Sequence, residues 1–431
     1  MARTKTILQW LRDYESRNVT FMESDGSWPI VWERARDTAV WDANGKKYLD
    51  LTAAFGVAAA GHANPRVVQA GRKQMARLLH AMGDVHPTAR KAELARQLSR
   101  ITFERWSHGK KSGKVVFGNS GFEAVEAALK TAVLATGKHG IIVFSGGYHG
   151  LGYGALNATH RDFFRTPFQF QLRQFGHFVQ FPLRSGDVAN LEWNIRRLFH
   201  REWIGAILVE PVQGRGGCNI PPPEFLPGLR RICDEQGALL ILDEIYTGFG
   251  RTGKWFACEH SGAVPDLICL GKALTGGFPL SACVGRADIM DAAWPASRGE
   301  AIHTSTFLGH PVGCAMALAQ IQEIEKRKLP ERSGELGEYL LQLLSTLRSP
   351  ASLPVSARGL GLMAGIELRR PDGQPATDAT LHAIKAMLRR GFILLPEGEF
   401  SNVISFTPPL TITKAQLAKT VKTLGEVLSR G

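Results

Sequence analysis

Two apolar runs, each closed by a charged residue, constrain this chain more than any other feature. Asp243 ends the run Ala238-Leu239-Leu240-Ile241-Leu242, and Lys272 follows Leu267-Ile268-Cys269-Leu270 with Gly271 between. Both runs have the length and composition of strands buried on both faces, which is how the strands of a parallel α/β sheet read. A carboxylate and an ammonium therefore stand where strands end, and open α/β sheets bind ligands at the carboxyl ends of their strands. Taken alone, the pair reads more simply as a solvated ion pair, and the surrounding segments have to decide.

A lysine so placed can condense with a carbonyl to a Schiff base, and a fixed aspartate can hold a heterocyclic nitrogen protonated. Together they point to pyridoxal 5'-phosphate, with Lys272 on the aldehyde and Asp243 on the pyridinium nitrogen. Such a cofactor needs a phosphate cradle. In Lys114 to Ala124 a strand, Val115 to Phe117, passes through Gly118-Asn119-Ser120-Gly121 into a helix marked by Phe122, Val125, Leu129, Ala132 and Val133 at helical spacing. The start of that helix offers free N–H groups and the positive end of its dipole, Ser120 adds a hydroxyl, and Gly121 admits close backbone approach. A second strand, Ile141 to Phe144, leads to Ser145-Gly146-Gly147-Tyr148-His149-Gly150. Tyr148 is placed to stack on the pyridine ring, and His149 to support rather than catalyse.

In order, these segments resemble the class III pyridoxal-phosphate aminotransferases of fold type I. The matched stretches are F-G-N-S-G-F-E-A (117–124), G-G-Y-H-G (146–150), V-E-P-V-Q-G (209–214), L-D-E-I-Y-T-G-F-G-R-T-G (242–253), G-K-A-L-T-G-G-F-P-L (271–280) and H-T-S-T-F-L-G-H-P (303–311). The weaker stretches 359–368 and 402–413 complete a resemblance that runs from Trp41 to about Thr413. It implies an α/β fold with a large domain, its mostly parallel sheet flanked by helices, and a small α+β domain built from both chain ends. The corresponding expectation is residues 1–65 and 316–431 for the small domain and 66–315 for the cofactor-binding one. The resemblance also implies that Phe122, His149 and Glu210 lie around the cofactor, that Ile245 packs on one ring face opposite Tyr148, and that Thr306 reaches the phosphate from the neighbouring subunit of a homodimer with composite sites. Ile245 lies two residues past Asp243, on the same side if the strand continues. The implied reaction moves an amino group from an amine donor to a 2-oxo acid; relatives that are racemases, decarboxylases or amine-phosphate lyases keep the same lysine and aspartate.

Departures from the family pattern bear on the substrate. Glutamate-using members bind the α-carboxylate with an arginine where this chain has Ser405, and screen it with a glutamate where this chain has Arg215. A glutamine that approaches the cofactor's phenolic oxygen is Tyr246 here, and Phe55 stands where ornithine-type members carry tyrosine. The expectation is a poor fit for 2-oxoglutarate, a better one for pyruvate, and an ω-amino acid or primary amine as donor. Arg215 reads equally as a new anion contact and as a surface arginine paired with a nearby acid.

Length and charge leave room for this reading. A chain of 431 residues can bury two domains' cores. No apolar run is long enough to span a membrane, and the N-terminal residues lack the apolar stretch of a signal peptide. The six cysteines form no metal-ligand spacing, so reduced thiols in a cytoplasmic enzyme are expected. The net charge of +13 raises a polyanion-binding alternative, but the basic residues are dispersed, with short patches at 110–114 and 196–201. Neither nucleic acid nor membrane is therefore an expected partner.

Overall fold

A computed structural model describes residues 2–347, 349–350 and 352–429. Residue 351 lies outside that set.

The apolar runs form the middle of a seven-stranded sheet. Its spatial order is Gly113–Gly118, Ser281–Arg286, Leu267–Leu270, Leu239–Asp243, Ile204–Val209, Gly140–Phe144 and Gly176–Val179. Only Ser281–Arg286 runs against its neighbours; the pairings from Leu267–Leu270 across to Gly176–Val179 are parallel. Ile142, Ile207, Leu240, Ile241, Leu242 and Ile268 are fully buried, as strands covered by helices on both faces must be. Each such side chain contributes about 1.5–3 kcal/mol relative to an exposed one.

The register puts the site in place. Val209 pairs with Leu242, and Asp243 with Cys269. The residues just past these positions, Glu210, Asp243 itself and Lys272, therefore emerge side by side from three adjacent strands. The predicted helix runs from Gly121 to Thr136 and stops at Gly137, which takes the left-handed conformation (φ 68°) a helix end favours.

Two smaller four-stranded sheets combine distant parts of the chain. Trp32–Arg36, Ala39–Asp42 and Lys47–Asp50 are joined by Phe392–Ile393, which pairs in parallel through Phe392 and Leu49. Val355–Leu360, Met363–Leu368, Val403–Phe406 and Leu395–Glu397 form the other. Both chain ends thus meet in one region, which touches the large sheet's carboxyl edge through Glu397 and Gly398.

Candidate active site

Ten of the residues singled out in the sequence line one cavity of about 360 Å³: Gly121, Phe122, Tyr148, His149, Glu210, Arg215, Asp243, Ile245, Tyr246 and Lys272. A larger hollow of about 840 Å³ lies along the helix Ser185–Arg201 and contains none of them.

Asp243 is buried and doubly held. His149 Nδ1 lies 2.8 Å from its Oδ2, and the Ile245 N–H donates to its Oδ1 at 3.1 Å. The carboxylate fixes the proton on Nδ1 of the imidazole, so the His149 ring and the Asp243 carboxylate hold one another in place. The Ile245 contact corrects one step of the sequence argument. The strand ends at Asp243, so Ile245 sits in a turn, and strand alternation does not place it. It reaches the cavity because the Asp243 side chain folds the backbone back on itself.

Lys272 occupies a left-handed backbone position (φ 43°) that side chains other than glycine rarely take. Burial pulls its amine down to about 8, against the opposing pull of Asp243, Glu210 and Glu397. Its Nζ lies 3.6 Å from the centre of the Tyr246 ring, a cation–π contact. The Tyr246 hydroxyl is 3.1 Å from Thr407 Oγ1. The ring face, rather than a polar tip, is what Tyr246 turns to the lysine.

Glu210 accepts the N–H groups of Tyr148 (2.9 Å) and Gly214 (3.0 Å) and so fixes the turns that carry Tyr148 and Arg215. Burial raises its carboxyl to about 7, with His149 opposing the shift. Burial also raises the Tyr148 phenol. The Tyr148 ring packs edge-on to Phe164 and lies under the Arg215 guanidinium, 5.1 Å from its centre.

The helix start expected to cradle a phosphate has a specific mark. Ser120 is the residue before the helix Gly121–Thr136, yet its side chain caps nothing. Its Oγ is buried and has no hydrogen-bond partner among the described residues. A hydroxyl in that state, beside unspent helix N–H groups, suits an anion. At Gly121 a Cβ would stand 3.0 Å from Ile245 Cδ1, crowding the residue that lines the same cavity.

Four predicted residues lie outside the lining. Ser120 is next to it. Phe55 is 52% exposed, though its neighbour Gly56 packs against the Tyr246 ring. Ser405 is buried in Val403–Phe406 and donates to the carbonyl of Leu395 on the neighbouring strand (3.3 Å). Thr306 sits on an exposed loop, whose Ser305 Oγ is 3.5 Å from Asn119 Nδ2 at the cradle.

Two residues of the site were not found in the sequence. Glu397, buried at the end of Leu395–Glu397, faces Arg215 with Nε and Oε2 4.0 Å apart. Arg161 donates to the carbonyls of Arg215 (3.4 Å) and Gly398. The one cue to Glu397 is a Pro-Glu-Gly turn between two apolar runs, and nothing in that cue names a partner 182 positions away. Arg215 lines the cavity and is paired with an acid.

A parallel sheet that gathers a half-buried lysine, a held aspartate and an empty-handed serine at a helix start is the architecture of the fold type I pyridoxal-phosphate enzymes. Within that class the chain belongs to the class III aminotransferases: the family described as "Aminotransferase class-III" matches residues 20–428. It is 38% identical to an acetylornithine aminotransferase of Methanosarcina mazei over 96% of this chain and 94% of that protein. It is 37% identical to a putrescine aminotransferase of Pectobacterium atrosepticum over 93% and 82%. A pyridoxal-phosphate-bound amine transaminase from an uncultivated Pseudomonas species superposes with a TM-score of 0.87 at 28% identity, covering 97% of this chain and 98% of that one. The chain is an aminotransferase, and its cofactor is pyridoxal 5'-phosphate. Among the described residues no helix is long and apolar enough to cross a membrane.

Proposed function

We propose that this aminotransferase takes its amino group from an ω-amino acid or a primary amine and passes it to a small 2-oxo acid, pyruvate in preference to 2-oxoglutarate, with the cofactor held as a Schiff base on Lys272. The observation that carries the reading is the convergence of Lys272, Asp243 and Arg215 on one cavity that has no cation where glutamate-using relatives place theirs.

When bound, the cofactor supplies an aldehyde for the amine and a ring that withdraws electrons from the carbon bearing the nitrogen. This chain's residues do the rest. Ser120 and the start of the helix Gly121–Thr136 would hold the phosphate, Tyr148 and Ile245 would enclose the ring, and Asp243, oriented by His149, would keep its nitrogen protonated. Lys272 Nζ would be the group that takes and returns a proton at the substrate carbon. Its amine, lowered to about 8, is close to the pH at which a base can both accept and return a proton. Arg215 receives a substrate carboxylate, beside an apolar wall to which Phe55, Tyr148 and Tyr246 contribute. The working unit is a cytoplasmic homodimer in which Thr306 reaches the partner's cofactor phosphate, with residues 66–315 holding the cofactor and residues 1–65 and 316–431 closing over it.

The test is a panel of amines against pyruvate and 2-oxoglutarate, with borohydride reduction of the holoenzyme beforehand to locate the cofactor by mass spectrometry. The reduced adduct should map to Lys272, and pyruvate should be the faster acceptor. An adduct on another lysine would remove the assignment of Lys272. Efficient exchange between glutamate and 2-oxoglutarate would defeat the substrate reading.

A further inference from the structure

Four consecutive residues take up the left-handed region of backbone space: Ala53 (φ 46°), Ala54 (φ 50°), Phe55 (φ 62°) and Gly56 (φ 80°). Glycine does so without steric cost, but other residues visit this region singly and not in runs. Such a turn persists where its surroundings over-determine it.

Asp50 supplies that constraint. It closes the strand Lys47–Asp50, is fully buried, and spends both oxygens on the turn. Oδ1 accepts the Thr52 N–H (2.8 Å) and the Thr52 hydroxyl (2.6 Å), and Oδ2 accepts the Ala54 N–H (3.3 Å). His62 Nε2 lies 2.7 Å from the same Oδ2. The His62 backbone is fixed in its turn by exchanging two N–H···O bonds of 2.8 Å with Asp37, and its ring packs edge-on to Trp32. The Gly56 N–H donates to the Thr52 carbonyl at 2.8 Å and closes the turn.

The turn ends against Tyr246. A Cβ at Gly56 would stand 2.6 Å from Tyr246 Cε2, and one at Gly214 would stand 2.4 Å from Cδ1 on the other edge of the ring. Thr407 Oγ1, 3.1 Å from the Tyr246 hydroxyl, is 3.3 Å from the Thr52 carbonyl. The ring is gripped on two edges and at its tip, with Lys272 Nζ over its face. Two of those three holds, Gly56 and the Thr52 carbonyl, belong to the segment that Asp50 ties.

We infer that Asp50 and His62 are positioning residues for the reaction. They keep the turn over 53–56 in its strained form, and through Gly56 the turn keeps the Tyr246 ring against Lys272 Nζ. The inference rests on the proposed role of Lys272 for its meaning, but the amine can be followed without turnover.

The measurement is the pH dependence of Lys272 acetylation by trace acetic anhydride in the full-length, cofactor-free protein, read by mass spectrometry. Burial, the largest influence on this amine, lowers it to about 8, and the charges of Asp243, Glu210, Glu397 and Arg215 that also act on it stay in place in every variant. His62→Leu takes a donor from Asp50, so the turn relaxes, water reaches the amine, and the half-point of labelling should rise by about one pH unit, a tenfold change in proton affinity. Gly56→Ala, at the other end of the same path, should raise it as well. His62→Gln, whose Nε2 can still donate to Asp50, should keep the wild-type half-point. Ala54→Gly added to His62→Leu should restore it, since glycine holds the left-handed form without strain. Ile195→Val, buried in the helix Ser185–Arg201 and outside the cavity, should lower stability and leave the half-point in place. A half-point that stays or falls in His62→Leu, a rise as large in Ile195→Val, or a glycine that restores nothing would overturn the inference. The expected pattern in a protein whose reduced cofactor adduct maps to another lysine would instead count against the proposed function alone.

Discussion

Replacing Lys272 by methionine should make the cofactor-free protein more stable near neutral pH, although it removes the residue proposed to carry the cofactor. Burial takes the Lys272 amine from 10.5 to about 8, even with Asp243, Glu210 and Glu397 pulling the other way. At about 1.4 kcal/mol per pH unit, that gap is a penalty of roughly 3 kcal/mol on the folded ammonium. The Tyr246 ring returns about 1 kcal/mol of it through the cation–π contact, and residual contact with water trims it further. The net expectation is about 1–2 kcal/mol in favour of Lys272→Met. Methionine keeps the unbranched length and the positive φ, so backbone strain cancels in the comparison. The sign with pH follows from linkage. Below about 8 both folded and unfolded chains carry the proton, and the penalty is complete. Between about 8 and 10.5 the folded lysine has lost its proton while the unfolded one keeps it, so the penalty shrinks as pH rises. Urea midpoints of both cofactor-free proteins, at one protein concentration, would be measured at pH 7 and again near the upper end of that window. A methionine variant less stable than wild type at pH 7, or an advantage that grows with pH, would refute the reasoning.

Asp243→Asn should keep the fold but lower turnover by about 10²–10³-fold, the range seen when one preorganised electrostatic contact is removed; near-normal rates would make Asp243 purely structural. Ser120→Ala should weaken cofactor retention about tenfold or more, as loss of a hydrogen bond to a charged group does, measured by equilibrium dialysis against pyridoxal phosphate; unchanged retention would mean that the lone hydroxyl faces no phosphate. Thr306→Ala, and separately dilution to monomer, should both loosen the cofactor; a monomer that retains it fully would rule out a composite site.

What could be read from the sequence was what burial imposes on it. Strands covered on both faces have to be continuously apolar, so the charged residues that close them, Asp243 and Lys272, stand out without any structure. The helix Gly121–Thr136 announced itself by its period, with Phe122, Val125 and Leu129 marking its course. Ile245 was assigned to the right cavity by a faulty route, because where a strand stops depends on side-chain-to-backbone bonds such as that from Ile245 N–H to Asp243. Ser405 was placed by its offset from a motif, and offset does not say which way a residue faces when, as in Val403–Phe406, every residue of the strand is buried. Glu397 and Arg161 escaped because their significance exists only once a loop of the large sheet meets a turn of the small one.

The satisfaction of the buried charges divides the site in two. Asp243 is held by His149 and by a backbone N–H, and Glu210 by two backbone N–H groups. Moving either would leave several donors unpaired inside the protein, so neither can respond to what enters the cavity. In the proposed reaction these groups and the lysine beside them act on the bound amine. Arg215 and Glu397 face each other across 4.0 Å with no hydrogen bond between them, and moving one strands nothing that was satisfied before. On the proposed reading, the groups that act on the amine belong to the rigid part of the site. A chain can in this way exchange one family carboxylate for Arg215, and one family cation for Ser405, without disturbing the chemistry at Lys272.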